Sequence, residues 1–225
     1  MSKKALDGPR GALKLRHVTP FAPTAHPPAL GRDDIHVWFF PQWGVEGRSA
    51  ASLTVRSWLA AYLDADVADI HIDYDARGKA HVRGDLLQFN VSHSGGALAF
   101  AVSRSQPLGV DLEHQRRPRR ALELAHRFFA PHEADALARL PEARLQSAFL
   151  RLWTCKEALV KADGGGISAG LHRAVFDLDE NAEIASPRDR SWQVVPFAPA
   201  AGFLGAVAWR GEARPVIYLL GTMVR

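Results

Sequence analysis

In the segment Leu108-Gly109-Val110-Asp111-Leu112-Glu113, two carboxylates stand two residues apart among apolar neighbours. On a strand this alternation turns Val110 and Leu112 to one face and Asp111 and Glu113 to the other. Residues i and i+2 of a strand lie roughly 7 Å apart, so the two carboxyl groups can approach one point, where they repel unless a cation lies between them. Hard oxygen ligands of this kind suit magnesium. Taken alone, an Asp-x-Glu pair is better explained as two solvated acids at a strand end, so the chemistry needs a further partner.

That partner is offered by the run Phe149 to Lys161, in which Phe149, Trp153, Lys156, Glu157 and Val160 fall on one helical face. Glu157 then sits in an apolar stripe, and a carboxylate there is costly unless it is paired or bound to a metal. Lys156 or Lys161 could supply a plain ion pair. With Asp111 and Glu113, however, Glu157 completes three acids from two elements, half of an octahedral magnesium shell, with positions left for phosphate oxygens and water. Manganese could stand in the same oxygen site. The same acids also fit a magnesium-dependent nuclease or phosphodiesterase.

The elements that must position these acids follow from pattern and punctuation. Residues 1–33 carry Pro9, Pro20, Pro23, Pro27 and Pro28 without a sustained period and are expected to form an irregular leader. Ile35 to Phe40 reads as a strand, Ser49 to Leu63 as a helix, and Ile70 to Tyr74, Leu87 to Ser92 and Ala97 to Val102 as strands broken at Arg77-Gly78 and Gly95-Gly96. After Pro107 the order recurs: a strand from Leu108 to Leu112, helical segments from about Arg120 to Asp163, and strands near Val175, Trp192, Phe203 and Val216. The expectation is an α+β protein of two similar subdomains related by a pseudo-twofold, residues 34–106 and 107–225.

Composition sets bounds and no more. The 225 residues are 47% hydrophobic and 23% charged, and 28 Lys and Arg against 24 Asp and Glu give +4, with a pI near 9.5. That mildly favours an anionic partner and equally serves solubility. A lone cysteine, Cys155, excludes an internal disulfide framework, suits a reducing compartment and has no activating motif beside it. With no run of about 18 apolar residues and no signal-peptide core, the expected setting is the cytoplasm and not a membrane. Gly164-Gly165-Gly166-Ile167-Ser168 follows a helix and lacks the ending of a P-loop, so it reads as a helix stop.

Four segments in order, Phe89-Asn90-Val91-Ser92-His93-Ser94, Gly109-Val110-Asp111-Leu112-Glu113, Arg127-Phe128-Phe129 and Trp153-Thr154-Cys155-Lys156-Glu157-Ala158 with Lys161, resemble the 4'-phosphopantetheinyl transferases. The resemblance covers roughly residues 77–178 and is to the two-subdomain, broad-specificity group of the surfactin-synthetase-activating type. It implies transfer of the phosphopantetheine arm of coenzyme A to a serine of an apo acyl or peptidyl carrier protein of fatty acid, polyketide or peptide synthesis, leaving 3',5'-ADP. A non-catalytic carrier-protein adaptor that keeps the fold is the alternative from another class.

The resemblance further implies that coenzyme A lies in the cleft between the halves. Asp111, Glu113 and Glu157 would hold magnesium, with Glu157 taking the serine proton. Ser92 and His93 would meet coenzyme A phosphates, and Lys156 and Lys161 the diphosphate, while Trp153 packs the helix. Arg77-Gly78-Lys79-Ala80 resembles the family's G-K-P turn with alanine for proline, implicating Lys79. Arg48 is the nearest candidate for an early phosphate-binding arginine. Arg116, Arg117, Arg119 and Arg120 would dock an acidic carrier, nucleic acid is not an expected partner, and the protein is expected to be a monomer.

Overall fold

The computed structural model describes residues 16–17, 22–24, 26–42, 48–116, 120–165, 170–179 and 181–221. After β1 (Arg16–His17) and β2 (Ala22–Thr24), the first half comprises β3 (Ile35–Phe40), α1 (Arg48–Leu63), the hairpin β4 (Ile72–Tyr74) and β5 (Ala80–Val82), β6 (Gln88–Ser94) and β7 (Ala97–Ser103). The second half repeats the order with β8 (Leu108–His114), α2 (Ala121–Phe128), α3 (Pro131–Ala138), α4 (Glu142–Asp163), the hairpin β9 (Phe176–Leu178) and β10 (Ile184–Pro187), β11 (Trp192–Ala198) and β12 (Phe203–Arg210). The chain then continues into β13 (Val216–Gly221).

The pairing repeats as well as the order. In one sheet β3 pairs with β7 and β7 with β6; in the other β8 pairs with β12 and β12 with β11, all antiparallel. The expected α+β architecture with two similar halves is therefore present.

The division at residue 107 is not clean, and the leader is not wholly irregular. β13 returns to the first sheet and pairs parallel with β3, with Val216 opposite Ile35; β2 pairs parallel with β13, and β1 pairs parallel with β11 of the second sheet. The physical reason lies in the edges. β3 and β11 would otherwise present unpaired rows of N–H and C=O groups, and these short segments cover them.

The burial of the strands follows from what covers each face. On β3, Ile35, Val37 and Phe39 pack between the two sheets with Leu108, Val110 and Leu112 of β8, while Trp38 and Phe40 pack against Trp58 and Leu59 of α1. Both faces of β3 are covered, so it reads as a continuous apolar run. His36 lies on the α1 side, its Nδ1 2.7 Å from the Tyr62 hydroxyl, which also accepts the Trp38 Nε1–H at 2.8 Å. Burial lowers its pKa and favours the neutral ring.

Candidate active site

The site forms where β8 meets α4, and Gly109 lets the helix come close. A Cβ at position 109 would lie 2.2 Å from the Ala158 carbonyl oxygen and 2.4 Å from the Ala162 nitrogen, inside main-chain atoms that cannot step aside. At the far end of α4, Gly164 adopts φ 73° and its N–H bonds the Val160 carbonyl, so the glycine run begins as the expected helix stop.

Strand alternation sets Asp111 and Glu113 on the α4 side of β8, both buried, and helical spacing brings Glu157 and Lys161 to face them. Lys161 Nζ lies 2.7 Å from Asp111 Oδ1 and 3.8 Å from Glu157 Oε2, and donates to the Val110 carbonyl at 3.3 Å. Burial alone would lower the lysine pKa; the charges of Asp111, Glu157 and Glu113 and the Asp111 hydrogen bond outweigh it and hold the pKa above the ordinary lysine value.

Three carboxylates thus surround one ammonium. Asp111 is only 3% exposed, yet its Oδ2 is buried and accepts no hydrogen bond. A buried carboxylate oxygen without a donor is costly, and it marks a place where a ligand or cation can enter. Among the described residues, no three His, Cys, Asp or Glu side chains stand ready-made as a metal cage. The acids are arranged around Lys161.

Ser92 and His93 were expected together at phosphates, but neighbours on a strand point opposite ways. Ser92 is buried: its hydroxyl donates to Asp111 Oδ1 at 2.8 Å and accepts from the Leu112 N–H at 3.2 Å and from Lys161 Nζ at 3.1 Å. That uses the one donor and two acceptors of a hydroxyl, so Ser92 serves the acids from within. His93 is exposed on the other face of β6.

Lys156, expected at the diphosphate, lies in the core. It is 0% exposed, its Nζ is 2.7 Å from Glu133 Oε2, and it donates to the carbonyls of Leu171 (3.0 Å) and Ala174. The Phe129 and Phe176 rings lie over the ammonium, with centroids at 4.8 and 5.9 Å. Phe129 also stacks on Phe149 and, with it, packs against Trp153. Burial lowers the Lys156 pKa against the opposing pull of Glu133. The Arg-Phe-Phe and Trp-x-x-Lys segments are therefore in large part core furniture.

Glu133 was missed in the sequence. It sits in the first turn of α3, accepts the Ala130 N–H at 2.8 Å and, through Oε1, the Phe176 N–H at 2.8 Å. The available signal was Pro131 followed two residues later by an acid, the pattern of a helix start.

Lys79 bridges the halves. Its ammonium donates to the Ala162 carbonyl at the end of α4 at 2.9 Å, and burial lowers its pKa while Asp75 and Asp163 oppose the shift. The turn that carries it is closed by Asp75 Oδ1, which accepts the N–H groups of Arg77 and Lys79 at 2.8 and 2.9 Å and so does the work of the missing proline. A cavity of about 560 Å³ opens here, lined by Arg77, Lys79, His81, Gln88, Pro107 and Asp163 among others.

Arg48 opens α1, and its side chain lies outside the described residues, as do Arg117 and Arg119. Arg116 and Arg120 are exposed, and Arg120 pairs with Glu123 at 3.1 Å. Cys155 is fully buried, in keeping with no catalytic role. No helix among the described residues is long and apolar enough to cross a membrane.

The fold is a repeated strand-helix-hairpin-meander unit of α+β class, and its buried lysine-carboxylate centre forms between β8 and α4 with Ser92 reaching in from β6. Residues 107–205 match the profile of the 4'-phosphopantetheinyl transferase superfamily. The chain is 36% identical over 162 residues to the 4'-phosphopantetheinyl transferase HetI of a Nostoc species, a match covering 70% of this chain and 68% of that protein. It is also 32% identical over 133 residues to the 4'-phosphopantetheinyl transferase Sfp of Bacillus subtilis, covering 58% of each chain, and 36% identical over 115 residues to psf-1 of Bacillus pumilus, covering 51% of this chain and 48% of the relative. The match thus spans about two thirds of the first relative and about half of the others. The chain belongs to the 4'-phosphopantetheinyl transferase superfamily and is a transferase; the nuclease and adaptor readings find no support among these relatives.

Proposed function

We propose that the protein transfers the 4'-phosphopantetheine group of coenzyme A to a serine of an apo carrier protein, yielding the holo carrier and 3',5'-ADP. The observation that carries this reading is Asp111 Oδ2, buried without a hydrogen-bond donor inside the segment that matches the superfamily, beside Lys161 and two further acids.

In this reading the serine oxygen attacks the β-phosphorus of coenzyme A, the bond from that phosphorus to the 3',5'-ADP oxygen breaks, and the serine proton passes to the Glu157 carboxylate. Lys161 offsets charge on the departing phosphate. Ser92 fixes one oxygen of Asp111, so the other is aimed. Lys79, with Arg77 beside it, lines the cavity that receives phosphates of coenzyme A, and His93 and Arg48 are proposed to approach them from the first half. In this proposal Lys156 supports α4 from within, its ammonium paired with Glu133.

Three carboxylates against one ammonium leave an excess of negative charge, and their oxygens match what magnesium, or manganese, prefers. Bound by Asp111, Glu113 and Glu157, the ion would neutralise the diphosphate and polarise its oxygens.

Exposed Arg116 and Arg120, with Arg117 and Arg119 between them in sequence, are proposed to receive an acidic carrier. A single buried thiol suits a reducing compartment, and we place the reaction in the cytoplasm of the cell, carried out by a monomer. The test is incubation with coenzyme A, magnesium and several apo carrier proteins, reading the carrier's intact mass. A phosphopantetheine increment on the serine is expected; none on any carrier refutes the proposal.

A further inference from the structure

Strand β6 meets the second half through its side chains. Phe89, Val91 and His93 point to one face, and Asn90, Ser92 and Ser94 point to the other, against the edge of β8. Asn90 Oδ1 accepts the Val110 N–H at 2.9 Å, Ser92 Oγ the Leu112 N–H at 3.2 Å and Ser94 Oγ the His114 N–H at 3.1 Å. Each pair is separated by 20 residues, so the row runs in step with the strand it meets. β8 is the last strand of its sheet, with β12 along its other side, and β6 is the last strand of the other sheet. The row therefore satisfies main-chain donors that no strand pairs, and it does so across the boundary between the halves.

The geometry points to Asn90 and Ser94 as positioning residues for the reaction. They set the register between the two halves and hold the main chain from which Asp111 and Glu113 project. Ser94 does this twice, since its hydroxyl also donates to Glu113 Oε2 at 3.2 Å. Asn90 acts through the main chain of Val110, whose N–H it accepts while Lys161 Nζ donates to the carbonyl of the same residue at 3.3 Å. A slip of one residue between β6 and β8 would mismatch every contact in the row and take the hydroxyls of Ser92 and Ser94 away from Asp111 and Glu113.

The kinetic test rests on the transferase reading. Asn90→Leu keeps volume and removes the acceptor, Ser94→Ala removes the hydroxyl, and Ser94→Thr keeps it. In the first two, kcat for carrier modification should fall about tenfold or more while KM for coenzyme A stays within about threefold; Ser94→Thr should return kcat to within about threefold of the parent. Folded Asn90→Leu and Ser94→Ala proteins with unchanged kcat overturn the assignment.

Should those variants fail to fold, hydrogen exchange on the unaltered protein decides. The amides of Val110, Leu112 and His114 are expected to be protected like the amides of β8 that pair with β12, and exchange at the rate of exposed amides refutes the row. A parent protein that modifies no carrier sinks the transferase reading, and the exchange measurement then decides the row by itself.

Discussion

Lys161 follows Lys156 by five positions, which on a helix of about 3.6 residues per turn places them on different sides of α4. Each meets a carboxylate at 2.7 Å, and there the likeness ends. The Glu133–Lys156 pair has no exposure on either side chain, both carboxylate oxygens carry donors, and the ammonium has two carbonyl acceptors besides. The Asp111–Lys161 pair leaves one carboxylate oxygen without a donor and leaves the lysine side chain 19% exposed. A saturated buried ion pair is structure. A partly satisfied one is a place for a ligand, because only an incoming group can complete its bonds.

The largest effect expected from this contrast is on turnover. Asp111→Ala and Glu157→Ala should each lower carrier modification by about a thousandfold or more, equivalent to about 4 kcal/mol of transition-state stabilisation, with thermal midpoints within a few degrees of the parent. Full activity in either variant, measured by the carrier mass shift, breaks the assignment of the open pair.

The sealed pair should respond in stability. Glu133→Ala leaves a buried ammonium without its counter-charge and should cost about 3–5 kcal/mol in denaturant unfolding. Glu133→Leu combined with Lys156→Met replaces both charges by apolar groups and should recover most of that loss. A double variant no more stable than Glu133→Ala would show that the charges themselves, and not their mutual compensation, hold this side of the helix.

Cys155 supplies the smallest and sharpest reading. It is fully buried on α4, and burial pushes its thiol pKa up to about 12, with Arg151 and Lys156 opposing and Asp111 adding to the shift. Folding disfavours the thiolate, so the associated stability is whole below the ordinary thiol pKa and is lost as pH rises from about 9 towards 12. At about pH 9, alkylation of the native protein should be slow, and faster in Glu133→Ala, as read by mass. Fast labelling of the parent would contradict the sealed side.

The recurrence of strand, helix and meander was legible because period-2 and helical patterns repeat in both halves, and Asp111 and Glu113 were legible because alternation fixes their shared face. The pairings that join the ends of the chain to the two sheets were not legible. Arg16–His17 and Ala22–Thr24 are too short to show a period, and nothing local to Val216–Gly221 says that it pairs with Ile35–Phe40. The roles of the two lysines were beyond the sequence for a related reason: helical spacing separates their faces but does not reveal what covers each one.

By itself the sequence determined which residues could share a face, and the common side of Asp111 and Glu113 and the place of Glu157 on an apolar stripe follow from local geometry. Only the tertiary structure decided which charges are satisfied. Glu133 comes from another helix to close off Lys156, and Ser92 from another sheet to occupy one oxygen of Asp111. Saturation of a buried charge is set by groups distant in the chain, and local periodicity carries no record of them.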